Sequence, residues 1–298
     1  MTPRPTLTRR RFLAISAAAL ALPARAEPIR WQGTALGADA TLTLHAPAPL
    51  AHQAIAIVQQ ELIWAEAQFS LYKPGSALSQ LNATGRLDHP DPDFVTLLRQ
   101  VDAVHTTTGG AFDPTVQPLW QALASGADPA TVRHLIGWNR VRVTDTNIRL
   151  APGQSLTLNG IAQGFVTDRI ATRLRGLGLT RVLVNIGEFA AIGGPFRMGV
   201  ADPRHGQVHT QILQNRAIAT SAPAATLLRG HPHILNPQDS ENNTDWSSVT
   251  VTAPHAGLAD ALSTAFCLMS PQNIRATLPH HPQTSALLVT DSGTLLQI

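Results

Sequence analysis

One cysteine, one tyrosine and three methionines occur in 298 residues, and aromatic residues make up only 5% of the chain. Cys267 alone excludes an internal disulfide and a thiolate zinc site; its apolar neighbours predict a small core residue. Lys73 is the only lysine, so no phosphate-binding loop of the Gly-rich type ending in Lys-Ser/Thr exists. Neither a G-x-S-x-G nucleophile elbow nor a G-x-G-x-x-G dinucleotide fingerprint is found. Basic stripes interleaved with aromatics are missing as well, which argues against nucleic-acid binding.

What is present begins with an export pattern. "TRRRFLAISAAALALPARA" carries Arg9 to Arg11, then a short apolar run from Phe12 to Leu22, then Ala24-Arg25-Ala26. The run is too short to span a bilayer. "TRRRFLA" resembles a twin-arginine export motif, which implies a signal at 1–26, a mature domain at 27–298 and a periplasmic location. That segment holds five of the 22 basic residues and no acid, leaving 17 basic against 19 acidic groups. The formal charge of +3 therefore belongs to the signal, not to the mature protein.

The 44% apolar fraction suits a globular core. Residues 30–46 alternate as one strand, and helical stripes cover 50–67, 92–108, 161–176 and 258–269. A short helix is predicted at 129–136. Strands are predicted at 139–144, 147–150, 155–158, 181–186, 196–200, 207–213, 216–220, 247–252 and 285–290. Strands and helices mix without strict βαβ alternation, which predicts a single α+β domain with mixed sheets and packed helices.

Within "GLADALSTAFCLM" (257–269), Asp260 and Thr264 stand four apart on one helical face. A carboxylate in such surroundings needs a partner. Two readings are open: Asp260 caps its own helix by accepting from the Ser263 N–H, or the pair faces a ligand. Tyr72 before a Pro-Gly turn offers a ring for stacking. Asp113 is held extended by Pro114. Asn159-Gly160 sits at a turn into a helix, where backbone approaches an anion or metal closely. His231 and His233 form an H-x-H pair, which is a metal motif or simply two satisfied histidines. Glu188 is expected to be exposed at the turn after "VNIG".

Taken in order, "FSLYKPGSALSQLN", "TGGAFDPTVQPL", "GIAQGFVTDR", "VNIG", "AIATS", "HILNP" and "ADALSTA" resemble the ApbE-type FAD:protein FMN transferase family, from about Gly33 to Met269. The resemblance implies one α+β domain that holds FAD as substrate. It places Leu36, Tyr72, Ala111, Phe112, Asp113, Thr157, Gln163 and Ile234 at the flavin nucleotide. It assigns Mg²⁺ to Asp260, Thr264, the Gly160 carbonyl and Ser263, in keeping with the preference of Mg²⁺ for a few hard oxygen ligands. It makes His233 the base, together with Asp260 at the catalytic centre. The implied reaction joins FMN to a Thr or Ser hydroxyl of an exported acceptor flavoprotein and releases AMP.

The chain departs from the family's pattern at several places. Thr157, Asn159 and Gln163 replace an acid, a glycine and a lysine; Gly187-Glu188 stands where two glycines are usual; Ala222 follows Thr220-Ser221. A metal-dependent FAD pyrophosphatase and a non-catalytic FAD-binding or flavin-delivery protein therefore stand beside transfer as alternatives.

Overall fold

Among the described residues seven helices and one large sheet set the frame. The computed structural model describes residues 27–239 and 244–298, so the export signal expected at 1–26 lies outside the described residues. The helices are α1 (Ala48–Phe69), α2 (Ala77–Thr84), α3 (Pro92–Thr107), α4 (Gln117–Ser125), α5 (Ala162–Gly176), α6 (Ala256–Phe266) and α7 (Pro271–Thr277). Among the described residues none is long and apolar enough to cross a membrane.

Eight strands form one antiparallel sheet. Its order is Ile29–Ala35, Ala38–Leu44, Val182–Ile186, Phe189–Ile192, Ala217–Ser221, Trp246–Ala253, Ser285–Thr290 and Leu295–Gln297. The period of two divides the strand residues between two cores. Val182, Val184, Ile186, Ala217, Ala219, Val249 and Val251 join the helices in the larger core. Leu183, Ala191, Ile218 and Leu287 face the other way and bury the hairpin of Phe196–Asp202 and Gly206–Leu213. Both faces are covered, so Trp246–Ala253 is buried along its whole length, its serines and threonines included. The result is one α+β domain, as expected.

Helix α6 is buried almost all round, with only Leu258 and Thr264 partly exposed. A helix buried on every side lies between other elements, and its polar members, Asp260 and Ser263, need partners there. Two glycines let α5 lie against it. A Cβ at Gly164 would sit 2.3 Å from the Ala256 carbonyl oxygen, and one at Gly257 would sit 3.4 Å from the Phe165 nitrogen. The helix N-termini therefore meet, and α6 packs on the strand Ala217–Ser221.

Several expectations are corrected. Residues 30–46 are a hairpin, not one strand, because Leu36 and Gly37 both take positive φ and reverse the chain. Residues 129–136 make two three-residue 3₁₀ turns, Pro129–Thr131 and Arg133–Leu135. Residues 139–144 begin in a third such turn, Trp138–Arg140, leaving only Arg142–Val143 as strand. No strand forms at 155–158. There the Asn82 side chain takes the place of a neighbouring strand, donating to the Leu156 carbonyl (2.8 Å) and accepting the Leu156 N–H (2.7 Å).

Candidate active site

A cavity of about 530 Å³ opens where the start of α5, the middle of α6 and the end of the strand Ala217–Ser221 converge. That volume lies within the range of pockets that enclose a small molecule or cofactor. Tyr72, Ala111, Phe112, Asp113, Thr157, Gly160, Gln163, His233, Ile234, Asp260 and Thr264 all line it. Residues scattered over nearly two hundred positions thus come together. Two expected members do not. Leu36 packs against the core at the hairpin turn, with its N–H on Glu66 Oε1 at 2.7 Å; Ala38 and Asp39 reach the cavity instead. Ser263 is fully buried behind the wall, its hydroxyl donating to the Asp260 carbonyl (2.9 Å), while Ser221 lines the cavity in front of it. The Ser221 and Ser263 hydroxyls are 2.8 Å apart.

Asp260 does not cap its own helix. Helix α6 starts at Ala256, so Asp260 lies a full turn inside it. Its Oδ2 instead accepts the Gly164 N–H, in the first turn of α5, at 3.1 Å. Asp168 of α5 returns the bond: its two oxygens accept the N–H groups of Ala256 (2.7 Å) and Gly257 (2.8 Å) at the start of α6. Each helix therefore satisfies orphan donors of the other. Thr264 Oγ1 faces Ser221 Oγ at 3.3 Å and stands against Gly160, where a Cβ would lie 2.9 Å from it. The bare Gly160 backbone is what lets these oxygens crowd together.

His233 is held by two carbonyls. Its Nδ1 lies 2.9 Å from the Pro223 oxygen and 3.2 Å from the Thr226 oxygen. Both are acceptors, so Nδ1 carries a proton. His231 is exposed and outside the cavity lining, so the H-x-H pair does not act as a unit. Asp113 is spent on local structure: Oδ1 accepts the Thr115 N–H (2.8 Å) and hydroxyl (2.6 Å), and Oδ2 accepts the Trp138 N–H (3.2 Å). That fixes the wall formed by Ala111 and Phe112. Tyr72 is 70% exposed at the rim, where its ring is open to stacking. It also lines a second cavity of about 860 Å³, walled by Ser79, Asn82, Gln117 and Gln121.

Glu188 corrects the expectation of an exposed turn residue. It is 6% exposed and lines the cavity. Burial, with the Asp260 charge beside it, pushes its carboxyl well above the ordinary carboxylate range, against the pull of the Thr220 N–H. Gln163 covers the adjoining turn. A Cβ on Gly187 would lie 2.7 Å from the Gln163 amide carbon, and the Gln163 Nε2 is buried without a hydrogen-bond partner. No sequence signal pointed to Glu188, because both its neighbours come from distant segments.

Among the described residues the lining contains four acids, Asp39, Asp113, Glu188 and Asp260, and neither lysine nor arginine. Among the described residues, no group of three or more His, Cys, Asp or Glu side chains converges as a metal cluster. The inner oxygens are instead a mixed set: the Asp260 and Glu188 carboxyls, the Thr264 and Ser221 hydroxyls, and the Gly160 backbone. Hard oxygens in small number fit Mg²⁺, which retains waters and takes further oxygens from phosphates.

Comparison with known proteins adds the family. The model of the ApbE family matches residues 36–288. A FAD:protein FMN transferase of Treponema pallidum is 28% identical over 285 residues, covering 82% of this chain and 78% of its own length. One of Haemophilus influenzae is 26% identical over 262 residues, covering 76% of each. The solved structure of an ApbE protein from Thermotoga maritima superposes with a TM-score of 0.81 at 22% identity, over 91% of this chain and 97% of its own.

Proposed function

The chain belongs to the ApbE family, and on that footing we propose that it is an FAD:protein FMN transferase that uses Mg²⁺ and modifies an exported flavoprotein. The observation that carries this reading is the cavity itself. It gathers a histidine, a buried acid and a ring of oxygens, but among the described residues supplies no lysine or arginine to a substrate with a pyrophosphate. A diphosphate among four acids needs a cation from outside the protein. Asp260, Thr264 and the Gly160 carbonyl are the residues that would hold Mg²⁺. Ser221 stands where the family resemblance suggested Ser263.

Bound there, Mg²⁺ would neutralise charge on the phosphate oxygens. The remaining work falls to the chain. Tyr72 stacks on a planar ring of FAD at the rim. Phe112 and Ile234 exclude water from one wall. His233 accepts, at Nε2, the proton of an acceptor Thr or Ser hydroxyl, and the two carbonyls at Nδ1 stabilise the imidazolium that results. The hydroxyl oxygen bonds to the flavin-side phosphorus. The bond from that phosphorus to the bridging oxygen breaks, and AMP leaves with its electron pair. The positions of the family's lysine and acid near the flavin are Gln163 and Thr157 here, so neither brings a charge to the cavity.

The arginine-led leader at 1–26 supports export by the twin-arginine route to the periplasm, where the acceptor would also lie. Turnover of FAD tests the reading. His233→Ala is expected to slow AMP release about 10²–10⁴-fold, the usual worth of a positioned base. An unchanged rate would contradict its role.

A further inference from the structure

The second cavity, of about 860 Å³, carries no charge. Among the described residues its lining holds no acid, lysine, arginine or histidine, whereas the first cavity holds four acids. It offers no counter-charge to a diphosphate or to a cation. Its polar walls are amides and hydroxyls, and two of them are unused. Gln117 is 5% exposed and Ser155 is 9% exposed. Neither side chain makes a hydrogen bond among the described residues, and the Ser155 N–H and carbonyl have no partner there either. A buried residue rarely leaves its backbone unpaired. The positions around Ser155 are all spent. Asn82 takes both backbone groups of Leu156; Gln154 binds the Ala151 N–H and the carbonyls of Leu135 and Gly137; the Thr157 N–H donates to the Pro114 carbonyl. Ser155 is the gap in an otherwise satisfied segment, and it faces the second cavity.

The two cavities adjoin. Tyr72 lines both. At the start of α4, Gln117 and Gln121 line the second cavity, while Val116 and Trp120 line the first, so the two faces of one turn serve the two spaces. The chain itself passes from the second to the first between Ser155 and Thr157. One residue that presents both a free N–H and a free carbonyl is the complement of one residue of an extended chain, which pairs through the same two groups. A side-chain amide beside it adds a further donor and acceptor. We propose that the second cavity seats the acceptor polypeptide: the stretch beside the modified Thr or Ser lies there extended, its backbone paired with Ser155 and the Gln117 amide, and passes Tyr72 into the active site. This rests on the transferase reading and adds to it where the acceptor is held. Uncharged walls disfavour burial of an unpaired charge, so the groove selects small uncharged residues next to the modified hydroxyl and rejects acidic or basic ones.

The probe is a short peptide that spans the modified Thr of a co-exported acceptor flavoprotein. For binding, Val replaces its Thr, and calorimetry follows titration into the full protein with FAD and Mg²⁺ present. Ala83 is exposed in the groove wall, so Ala83→Trp fills the groove without entering the core. It is expected to weaken the peptide by about tenfold or more and to leave FAD affinity as in wild type. Gln117→Leu keeps the shape without the amide and is expected to weaken the peptide by about threefold to tenfold. Methylating the peptide's backbone nitrogens beside the Val should weaken its binding to wild type to a similar degree, which a merely structural role of Gln117 would not produce. With the Thr peptide, these losses should appear in the KM for peptide and not in the KM for FAD. Unchanged peptide binding in Ala83→Trp would overturn this inference and leave the transferase reading standing. FAD affinity that falls together with peptide affinity would overturn it as well, by giving the groove to the adenosine half of FAD. Peptide binding lost in Ala83→Trp, with no FMN transferred to the Thr peptide or the whole acceptor by wild type, would support the groove and overturn the transferase reading. Absence of peptide binding by wild type would overturn the inference.

Discussion

Asp168 and Asp260 exchange caps. Each lies inside one helix and accepts backbone N–H groups from the first turn of the other, at 2.7 and 2.8 Å for Asp168 and at 3.1 Å for Asp260. The pairing locks α5 and α6 into one unit, and that unit carries Gln163 into the cavity on one side and Thr264 on the other. Asp260 thus braces α5 through one oxygen, and under the proposed function its charge would serve the metal.

The two roles separate by mutation. Asp260→Asn keeps an oxygen for the Gly164 N–H and should leave the melting temperature close to wild type while FAD cleavage collapses. Asp260→Ala should in addition lose about 1 kcal/mol, the usual worth of a cap. Asp168→Ala strips two N–H groups and should cost about 1–3 kcal/mol, with a smaller effect on turnover in the protein that stays folded. Urea unfolding together with AMP release measures both axes. A loss of activity in Asp260→Asn that merely tracks unfolding would contradict the division.

Gly164 is expected to be intolerant of any side chain. A Cβ there meets the Ala256 carbonyl oxygen at 2.3 Å, and that atom is backbone, so α5 and α6 must move apart. Gly164→Ala should cost about 1–3 kcal/mol by overpacking and reduce FAD affinity, since Asp260 and Gln163 move with their helices. Gly176→Ala, with open space around its Cβ position, is the control and should be neutral or mildly stabilising. Equal stability of the two variants would show that the close approach does not matter.

Asp202 supplies a pH signature. Burial alone would raise its carboxyl, but hydrogen bonds from the Ser248 hydroxyl, the Arg204 N–H, the Ser247 hydroxyl and the His205 N–H outweigh burial and hold it below 3.8. The folded protein therefore keeps Asp202 ionised to lower pH than the unfolded chain does. The stability this contributes is fully present above 3.8 and is lost as pH falls through the folded value. The gap in unfolding midpoint between wild type and Asp202→Asn should be wide at about pH 7 and narrow at about pH 3. A constant gap would mean the shift is absent. Ala201 and Pro203 line the cavity on either side of Asp202, so FAD affinity should weaken with the same trend.

Gln163 and Thr157 both line the cavity, and their substitutions are expected to be coupled as a neutralised pair. Restoring lysine alone puts a buried ammonium where the family's acid is missing. Gln163→Lys should therefore help FAD binding little or destabilise the fold. Thr157→Asp with Gln163→Lys should tighten binding beyond the sum of the single changes. Calorimetric titration of FAD into the four proteins decides it, and strictly additive effects would show that the sites do not interact.

Much of this site was legible as residue types in order. The stripe of α6 and the Asp260–Thr264 spacing placed one wall; "GIAQGF" placed another. What the sequence could not reveal is long-range pairing. Asp260 looked like a cap and is one, but for a helix nearly a hundred residues earlier. Glu188 looked exposed because its turn is polar at one residue only; Thr220 and Asp260, which bury it, come from other segments. Helix α2 was hidden by its shortness and by the Pro-Gly turn before it, although Ser76 caps it by accepting the Ser79 N–H. The strand Phe189–Ile192 was missed because four apolar residues between Glu188 and Gly193 have no period to read.

The expected twin-arginine route is checked in cells. Replacing Arg9 and Arg10 with lysine should leave precursor in the cytoplasm, and undiminished export would contradict the assignment.

Incubation of the protein with FAD, Mg²⁺ and a co-exported acceptor flavoprotein, followed by intact mass, tests the central claim most directly. The predicted result is an acceptor heavier by FMN less one water, lost when its Thr or Ser is replaced, with one AMP released for each acceptor modified. FMN and AMP appearing free beside an unmodified acceptor, or FAD bound and recovered whole, would contradict it.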